Sequence, residues 1–307
     1  MCGIVGLFAK RPEVEERLGA HLGAMLSQMA DRGPDSAGVA LYREPAPVGS
    51  TKLSLFSEDP DEDWGALGGD VTVRASHAVV VLEGAAAEVE ARIRAEHPQL
   101  RIMSAGTRIE IFKETGDPRG FVERFGLPSL SATHGLGHTR MATESRVTTE
   151  GAHPFSTGLD LCLVHNGSLS NHNALRRRLR HEGIGFQTEN DTEVAAGYLE
   201  WRLREGDDLQ AALEACLVDL DGFYTFAVGT ADGFAVLRDP IACKPAVMAE
   251  NDDWVAMASE YRAIAVLPGA DSAEVWEPEP AHVYSWERGD REASPVARPL
   301  AETGRVG

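Results

Sequence analysis

Four short stretches of this sequence gather residue types that can do chemistry. The first is the N-terminus, Met1-Cys2-Gly3-Ile4-Val5-Gly6. Removal of the initiator methionine would leave Cys2 with a thiol and a free α-amine on one residue. A thiol needs a base to become a nucleophilic thiolate, and an α-amine, with an ordinary pKa near ~8, can be that base. The plainer reading is a chain that begins Met-Cys ahead of a buried strand, and the opening residues alone leave the two even.

The second stretch is His165-Asn166-Gly167-Ser168. An Asn side-chain amide beside a Gly backbone N–H offers two donors that converge on one point, as stabilising an oxyanion in acyl transfer requires. Asn-Gly is also a strong hairpin signal, and in isolation the turn is the expected reading. The third stretch, Gly135 to Ser145, packs small and polar residues around Arg140. A guanidinium there can bind a carboxylate bidentately, or sit in a structural ion pair. In the fourth, Thr188 to Glu193, Asp191 can cap a helix, bind an ammonium, or do both. His153-Pro154 follows in a loop, where a satisfied structural His is expected.

These stretches need a scaffold. A strand is expected from Cys2 to Phe8, then a helix from Val14 to Ala30, whose Leu18, Leu22, Met25, Leu26 and Met29 share one face. A Gly/Pro-rich turn over Asp31–Gly38 returns the chain to a strand at Val39–Tyr42. Residues 49–130 read as an inserted α/β block without a catalytic motif. Leu159–Val164 reads as a buried strand, and 173–181 as a basic helix whose Arg176, Arg177, Arg178 and Arg180 form a solvated face. Helices at 194–203 and 208–218 follow, then hairpin strands at 222–228 and 234–238. Strands at 254–259 and 280–286 come last, with a tail from 287 to 307. Strand pairs and helices without a βαβ rhythm favour stacked antiparallel sheets flanked by helices.

Composition narrows the function. With 307 residues, 43% hydrophobic and 25% charged, the chain is long enough for a large globular core. A formal net charge of −19 argues against nucleic acid or an anionic membrane as partner. No apolar run approaches the ~20 residues of a membrane span, and no signal peptide is visible, so a cytoplasmic location is expected. Four scattered cysteines and ten histidines without paired spacing make a disulfide framework or a metal site improbable.

Taken together and in order, Cys2-Gly3-Ile4-Val5-Gly6, Arg32-Gly33-Pro34-Asp35-Ser36-Ala37-Gly38, Gly137-His138-Thr139-Arg140-Met141-Ala142-Thr143, His165-Asn166-Gly167, Asn190-Asp191-Thr192-Glu193 and Ser259-Glu260 resemble the class II glutamine amidotransferases. These belong to the N-terminal-nucleophile hydrolases. The resemblance implies an α+β fold, a four-layer αββα sandwich over residues 2–286, and hydrolysis of glutamine to glutamate and ammonia. It implies Cys2 as nucleophile, Asn166 and Gly167 as oxyanion hole, Arg140 with Thr143 on the α-carboxylate, and Asp191 on the α-ammonium. It places Met141 and His165 among the secondary substrate-binding residues. Met141 stands where the family often has Trp, and Glu144 where it often has His.

The amidotransferase motifs fill the chain, so the ammonia is expected to serve a separate synthase subunit. The run from Gly137 to Phe155 is similar to amidotransferase subunits of glutamate-synthase-like complexes, and most to the small subunit of N-methylglutamate synthase. That likeness implies FMN and an iron–sulfur cluster in the partner subunits and no cofactor in this chain. Two alternatives remain: an N-terminal-Cys hydrolase of another amide, and a catalytically silent scaffold subunit.

Overall fold

The computed structural model describes residues 2–141 and 147–289. Thr143, Glu144 and the expected tail from 290 onward lie outside the described residues.

The strand Gly3–Ala9 is buried along its whole length because it has a covered face on each side. Successive side chains alternate across a strand. Val5, Leu7 and Ala9 point into one core, with Leu18, Leu22, Met25 and Leu26 of the helix Leu18–Gln28. Ile4 and Phe8 point into a second core, with Leu136, Val164, Phe234, Val236 and Trp286. A third core joins Leu163, Phe226, Val228 and Leu237 to the helices His172–His181, Asp191–Arg204 and Leu209–Asp219. Three parallel seams of apolar side chains therefore separate helix, sheet, sheet and helix, the four-layer αββα sandwich that the resemblance implied.

The first sheet has seven antiparallel strands, in the order Glu274–Trp276, Val247–Glu250, Trp254–Ala258, Gly3–Ala9, His134–Arg140, Ser36–Tyr42 and Ile109–Thr115. The second has four: Val283–Glu287, Gly233–Arg238, Gly222–Gly229 and Cys162–Leu169. Cys2 therefore leads into the middle of the larger sheet, and Asn166 lies on an edge strand of the smaller one.

The sequence reading differs from the structure at several places, each with a local cause. The helix expected at 14–30 is two helices, Pro12–Glu16 and Leu18–Gln28. Across the break, Glu15 O accepts from Ala132 N and Gly19 N donates to Leu130 O, so tertiary bonds replace the helical bond between 15 and 19. The stretch His134–Arg140 is a central strand despite its two glycines. A Cβ on Gly135 would lie 2.9 Å from Leu22 Cδ2, and one on Gly137 2.8 Å from Val5 Cγ2. Glycine there lets the helix Leu18–Gln28 and the neighbouring strand pack close.

Asn166-Gly167 is not a turn. Asn166 pairs with Thr225 and Gly167 with Tyr224 inside the ladder. The inserted block is also narrower than 49–130. Its own sheet, ordered Asp70–Arg74, His77–Glu83, Ser50–Phe56 and Arg101–Gly106, packs on the helix Ala86–Glu96 around Leu53, Leu55, Val80, Leu82, Val89 and Ile93. From Ile109 onward the chain rejoins the main body, because Ile109–Thr115 pairs with Ser36–Tyr42 and Phe121 and Phe125 enter the first core.

Candidate active site

Sheet register brings the candidate residues to one end of the molecule. Gly3 pairs with Thr139 and Ser36 with Arg140, while Ser259 directly follows the strand paired on the other side of Gly3–Ala9. Cys2, Arg140 and Ser259 therefore share one edge of the larger sheet.

The backbone of Cys2 is held by two side chains. Arg32 Nε donates to its carbonyl at 3.1 Å, and Asn166 Nδ2 does so at 3.2 Å from across the gap between the sheets. The second Asn166 proton goes to Ser259 Oγ at 3.1 Å, and the same oxygen accepts from Ile4 N at 2.9 Å. Arg32 is fixed in turn by Glu260, which also accepts from Arg262 Nε at 2.7 Å. The hydrogen bond from Arg32, helped by the charges of Arg32 and Arg262 and opposed by partial burial, holds the Glu260 carboxyl below the ordinary carboxylate range. Cys2 Sγ lies 3.9 Å from Met141 O, and the Met141 side chain stands exposed at the rim.

Gly167 has φ of +145°, and a Cβ on it would fall 1.9 Å from Phe223 O, so no other residue fits. Asp191 is the first residue of the helix Asp191–Arg204, whose N-cap is the Asn190 side chain, accepting from Thr192 N at 2.8 Å. A carboxylate is stabilised at a helix N-terminus. One Asp191 oxygen accepts from Leu169 N at 3.0 Å, and the other is 3.8 Å from His165 Nδ1.

His165 belongs to a buried cluster that the sequence spacing concealed. Its Nδ1 is 3.0 Å from Thr192 Oγ1, which is 3.3 Å from His153 Nε2. The His165 amide donates to His153 Nδ1 at 3.4 Å, and the ring of His138 stacks on that of His153 at 3.9 Å. Desolvation is the main cause that keeps all three neutral, pushing His138 down to about 3, His153 well below the ordinary range and His165 in the same direction. His153, expected as a satisfied structural histidine in a loop, has partners on both ring nitrogens and also lines the cleft.

Cys2, Arg140, His153, His165, Gly167 and Asp191 line one cleft of about 580 Å³. The cleft is large enough for an amino acid. It offers a thiol, a guanidinium and a carboxylate, a set that can hold a zwitterion with a third group of the same molecule facing the thiol. Among the described residues, no group of His, Cys, Asp and Glu could hold a metal ion. Of the residues expected at the site, the structure brings together Cys2, Arg140, Met141, His165, Asn166, Gly167 and Asp191.

One expectation is overturned nearby. Arg176 is not on a solvated face: it is 3% exposed and donates to Thr188 O and Asn190 O, at the base of the loop leading into Asp191. A count of basic residues on a helix cannot reveal this, because the partners are carbonyls of a later loop. Arg178 instead lies over the Trp201 ring, 4.5 Å from its centroid.

Residues 138–266 match the family model described as a glutamine amidotransferase domain. The chain is 56% identical over 297 residues to the glutamine amidotransferase-like protein GlxB of Rhizobium meliloti (strain 1021), covering 94% of this chain and 98% of that one. It is 30% identical over 320 residues to a putative glutamine amidotransferase of Methanothermobacter thermautotrophicus, covering 94% of this chain and 100% of that one. Among solved structures, the fold is similar to the glutamine phosphoribosylpyrophosphate amidotransferase of B. subtilis, with a TM-score of 0.61 and 21% identity. That match covers 94% of this chain and 48% of the other.

Proposed function

The chain belongs to the class II glutamine amidotransferases, and from that premise we propose that it hydrolyses glutamine through a Cys2 thioester and supplies the ammonia to a separate synthase. The observation that carries this reading is the convergence of Cys2, Gly167, Arg140 and Asp191 on one cleft, with Asn166 hydrogen-bonded to the Cys2 carbonyl beside it. Arg140 takes the α-carboxylate, with Thr143, and Asp191 the α-ammonium. The side-chain amide is thereby presented to Cys2 Sγ.

The thiolate attacks the amide carbon, and the negative charge moves to the amide oxygen, where Asn166 and the Gly167 N–H stabilise it. The α-amine of Cys2 takes the thiol proton and returns it to the departing nitrogen, so ammonia leaves and a thioester remains. Water then adds to the thioester carbon, the C–S bond breaks, and glutamate leaves with the thiol restored. A substrate lacking either α-charge is disfavoured, because it forgoes the charge pairing with Arg140 or Asp191.

We assign the ammonia to a glutamate-synthase-like partner carrying FMN and an iron–sulfur cluster, with N-methylglutamate synthase as the specific candidate. Treatment with 6-diazo-5-oxo-L-norleucine, a glutamine-like electrophile, tests the first step. A single adduct on Cys2, in a protein whose mass lacks Met1, is the expected result. Label elsewhere, or a retained Met1, refutes the nucleophile. Purification from the native source tests the second step: a yellow flavoprotein should co-purify, and a colourless chain that purifies alone removes the synthase assignment.

A further inference from the structure

Two loops contribute walls of the cleft, one at 148–153 and one at 188–191. Each is held from behind by a buried cation that does not reach the cleft itself. Lys113, on the strand Ile109–Thr115, is 3% exposed, and its three protons go to Glu150 O at 3.0 Å, Ala152 O at 2.9 Å and Pro154 O at 3.2 Å. Its ammonium also lies 4.5 Å from the centre of the Phe155 ring.

Arg176 does the same for the other wall. It donates to Thr188 O and, at 3.1 Å, to Asn190 O, and lies over the Phe186 ring. From the inner side, the Glu193 carboxylate accepts from Gln187 N at 2.6 Å, Thr188 N at 2.8 Å and Thr188 Oγ1 at 2.7 Å. The loop is thus gripped through its carbonyls by a cation and through its amides by an anion.

Burying a cation is costly, and a well-packed apolar side chain often serves a core at least as well. What an ammonium or guanidinium supplies instead is a fixed set of donor directions that gathers carbonyls from a loop with no regular hydrogen-bonding of its own. We propose that Lys113 and Arg176 are positioning residues that set the distance between the two walls, and with it the grip of Arg140 and Asp191 on the α-charges of glutamine. The inference rests on the glutaminase reading and deepens it.

The two clamps differ in one testable respect. Desolvation pulls Lys113 down to about 8, opposed by the charges of Glu193 and Glu150. His153 and His77, both held neutral by burial, are the other titratable groups coupled to it. On deprotonation Lys113 keeps two protons for three carbonyls, whereas an arginine at the same place stays charged.

The experiment measures KM and kcat for glutamine from pH 6.5 to 9.5, together with Cys2 alkylation by iodoacetamide, which needs neither α-charge. The set is the wild type, K113M, K113R, R176M and R176K. K113M and R176M should raise KM at least fivefold, with kcat within threefold and alkylation within twofold of wild type. R176K should recover part of the loss. The wild-type KM should climb above pH 8, and K113R should remove the share of the climb due to Lys113; whatever Cys2 and the α-ammonium of glutamine add to the profile is common to both proteins. Folded Met variants with an unchanged KM overturn the proposal, as does a K113R profile that matches wild type. If the Met variants do not fold, the K113R profile decides alone. A wild type that turns over no glutamine refutes the glutaminase reading itself, and the clamp with it.

Discussion

Asn166 Nδ2 lies 3.2 Å from the carbonyl oxygen of Cys2, so the amide proposed for the oxyanion is hydrogen-bonded to the backbone of the proposed nucleophile. Its second proton is accepted by Ser259 Oγ. To serve an oxyanion, Asn166 must exchange the bond to Cys2 O for one to substrate. That exchange leaves no orphan, because Arg32 continues to donate to the same carbonyl.

Replacing Asn166 by Ala should therefore lower kcat by about 10²–10³, the usual cost of losing one oxyanion donor, with little change in KM. Ser259→Ala should cost less, roughly threefold to tenfold in kcat, since it removes only the group that orients the amide. Steady-state kinetics on both variants checks the order. A larger loss from Ser259→Ala than from Asn166→Ala contradicts the assignment.

Asp191→Asn removes the charge proposed to pair with the α-ammonium while keeping a side chain of the same shape. A charged hydrogen bond is worth about 2 kcal/mol, so KM for glutamine should rise roughly 30-fold. The preference for glutamine over its des-amino analogue, 4-carbamoylbutanoate, should largely vanish. Equal turnover of the two amides by the wild type would instead favour a hydrolase of another amide.

Gly167 admits no side chain, because Phe223 O occupies the place of its Cβ and its φ is positive. Gly167→Ala should displace the strand Cys162–Leu169 locally, lose at least about 10²-fold in kcat, and lower stability by roughly 1–3 kcal/mol. Turnover and urea midpoints measured on the same sample separate the two effects. A wild-type kcat in this variant would exclude the Gly167 N–H from the oxyanion hole.

Acid should destabilise the protein earlier than its carboxylates alone would require. His77, His134 and His138 are held down to about 3 by burial. Below the unfolded value near 6.5, the unfolded chain binds protons that the folded chain refuses. Stability is therefore full above about pH 6.5 and falls toward pH 3, by about 1.4 kcal/mol per pH unit for each such histidine. Urea midpoints at pH 7, 6 and 5 measure the slope. His77→Phe, set among Phe56, Phe112 and Phe125, should flatten it by one histidine's share.

One carboxylate should contribute to anchoring the accessory sheet. Asp160, at φ +50°, accepts from Thr107 N, Thr107 Oγ1, Arg108 N and Ile109 N at 2.8–2.9 Å, where the accessory sheet meets the main one. Asp160→Ala leaves three buried or half-buried amides without an acceptor and should lower stability by about 3 kcal/mol. It should also open the 106–109 connection to limited proteolysis, and unchanged protease resistance would contradict this role.

The residues proposed to carry the chemistry were legible in the sequence because their chemical type is local information. A cysteine at the second position, an Asn-Gly pair, an Arg among small residues and an Asp at a helix start each state a capability without reference to a fold. The αββα layering was implied by the family resemblance, while the rhythm of strand pairs and helices by itself pointed to stacked antiparallel sheets flanked by helices. What the sequence left open was every relation between distant segments. Asn-Gly has the same local preference in a turn as in a strand, and only pairing with Phe223–Thr225 decided it. The contacts of His153, Arg176 and Lys113 were not legible, because their partners are a threonine hydroxyl and backbone carbonyls 12 to 41 residues away. A carbonyl is the same group at every position of the chain, so no side-chain pattern can announce which one a buried cation will meet. The sequence by itself determined what could react; the tertiary structure decided how the walls of the cleft are held, because that depends on where identical backbone groups come together.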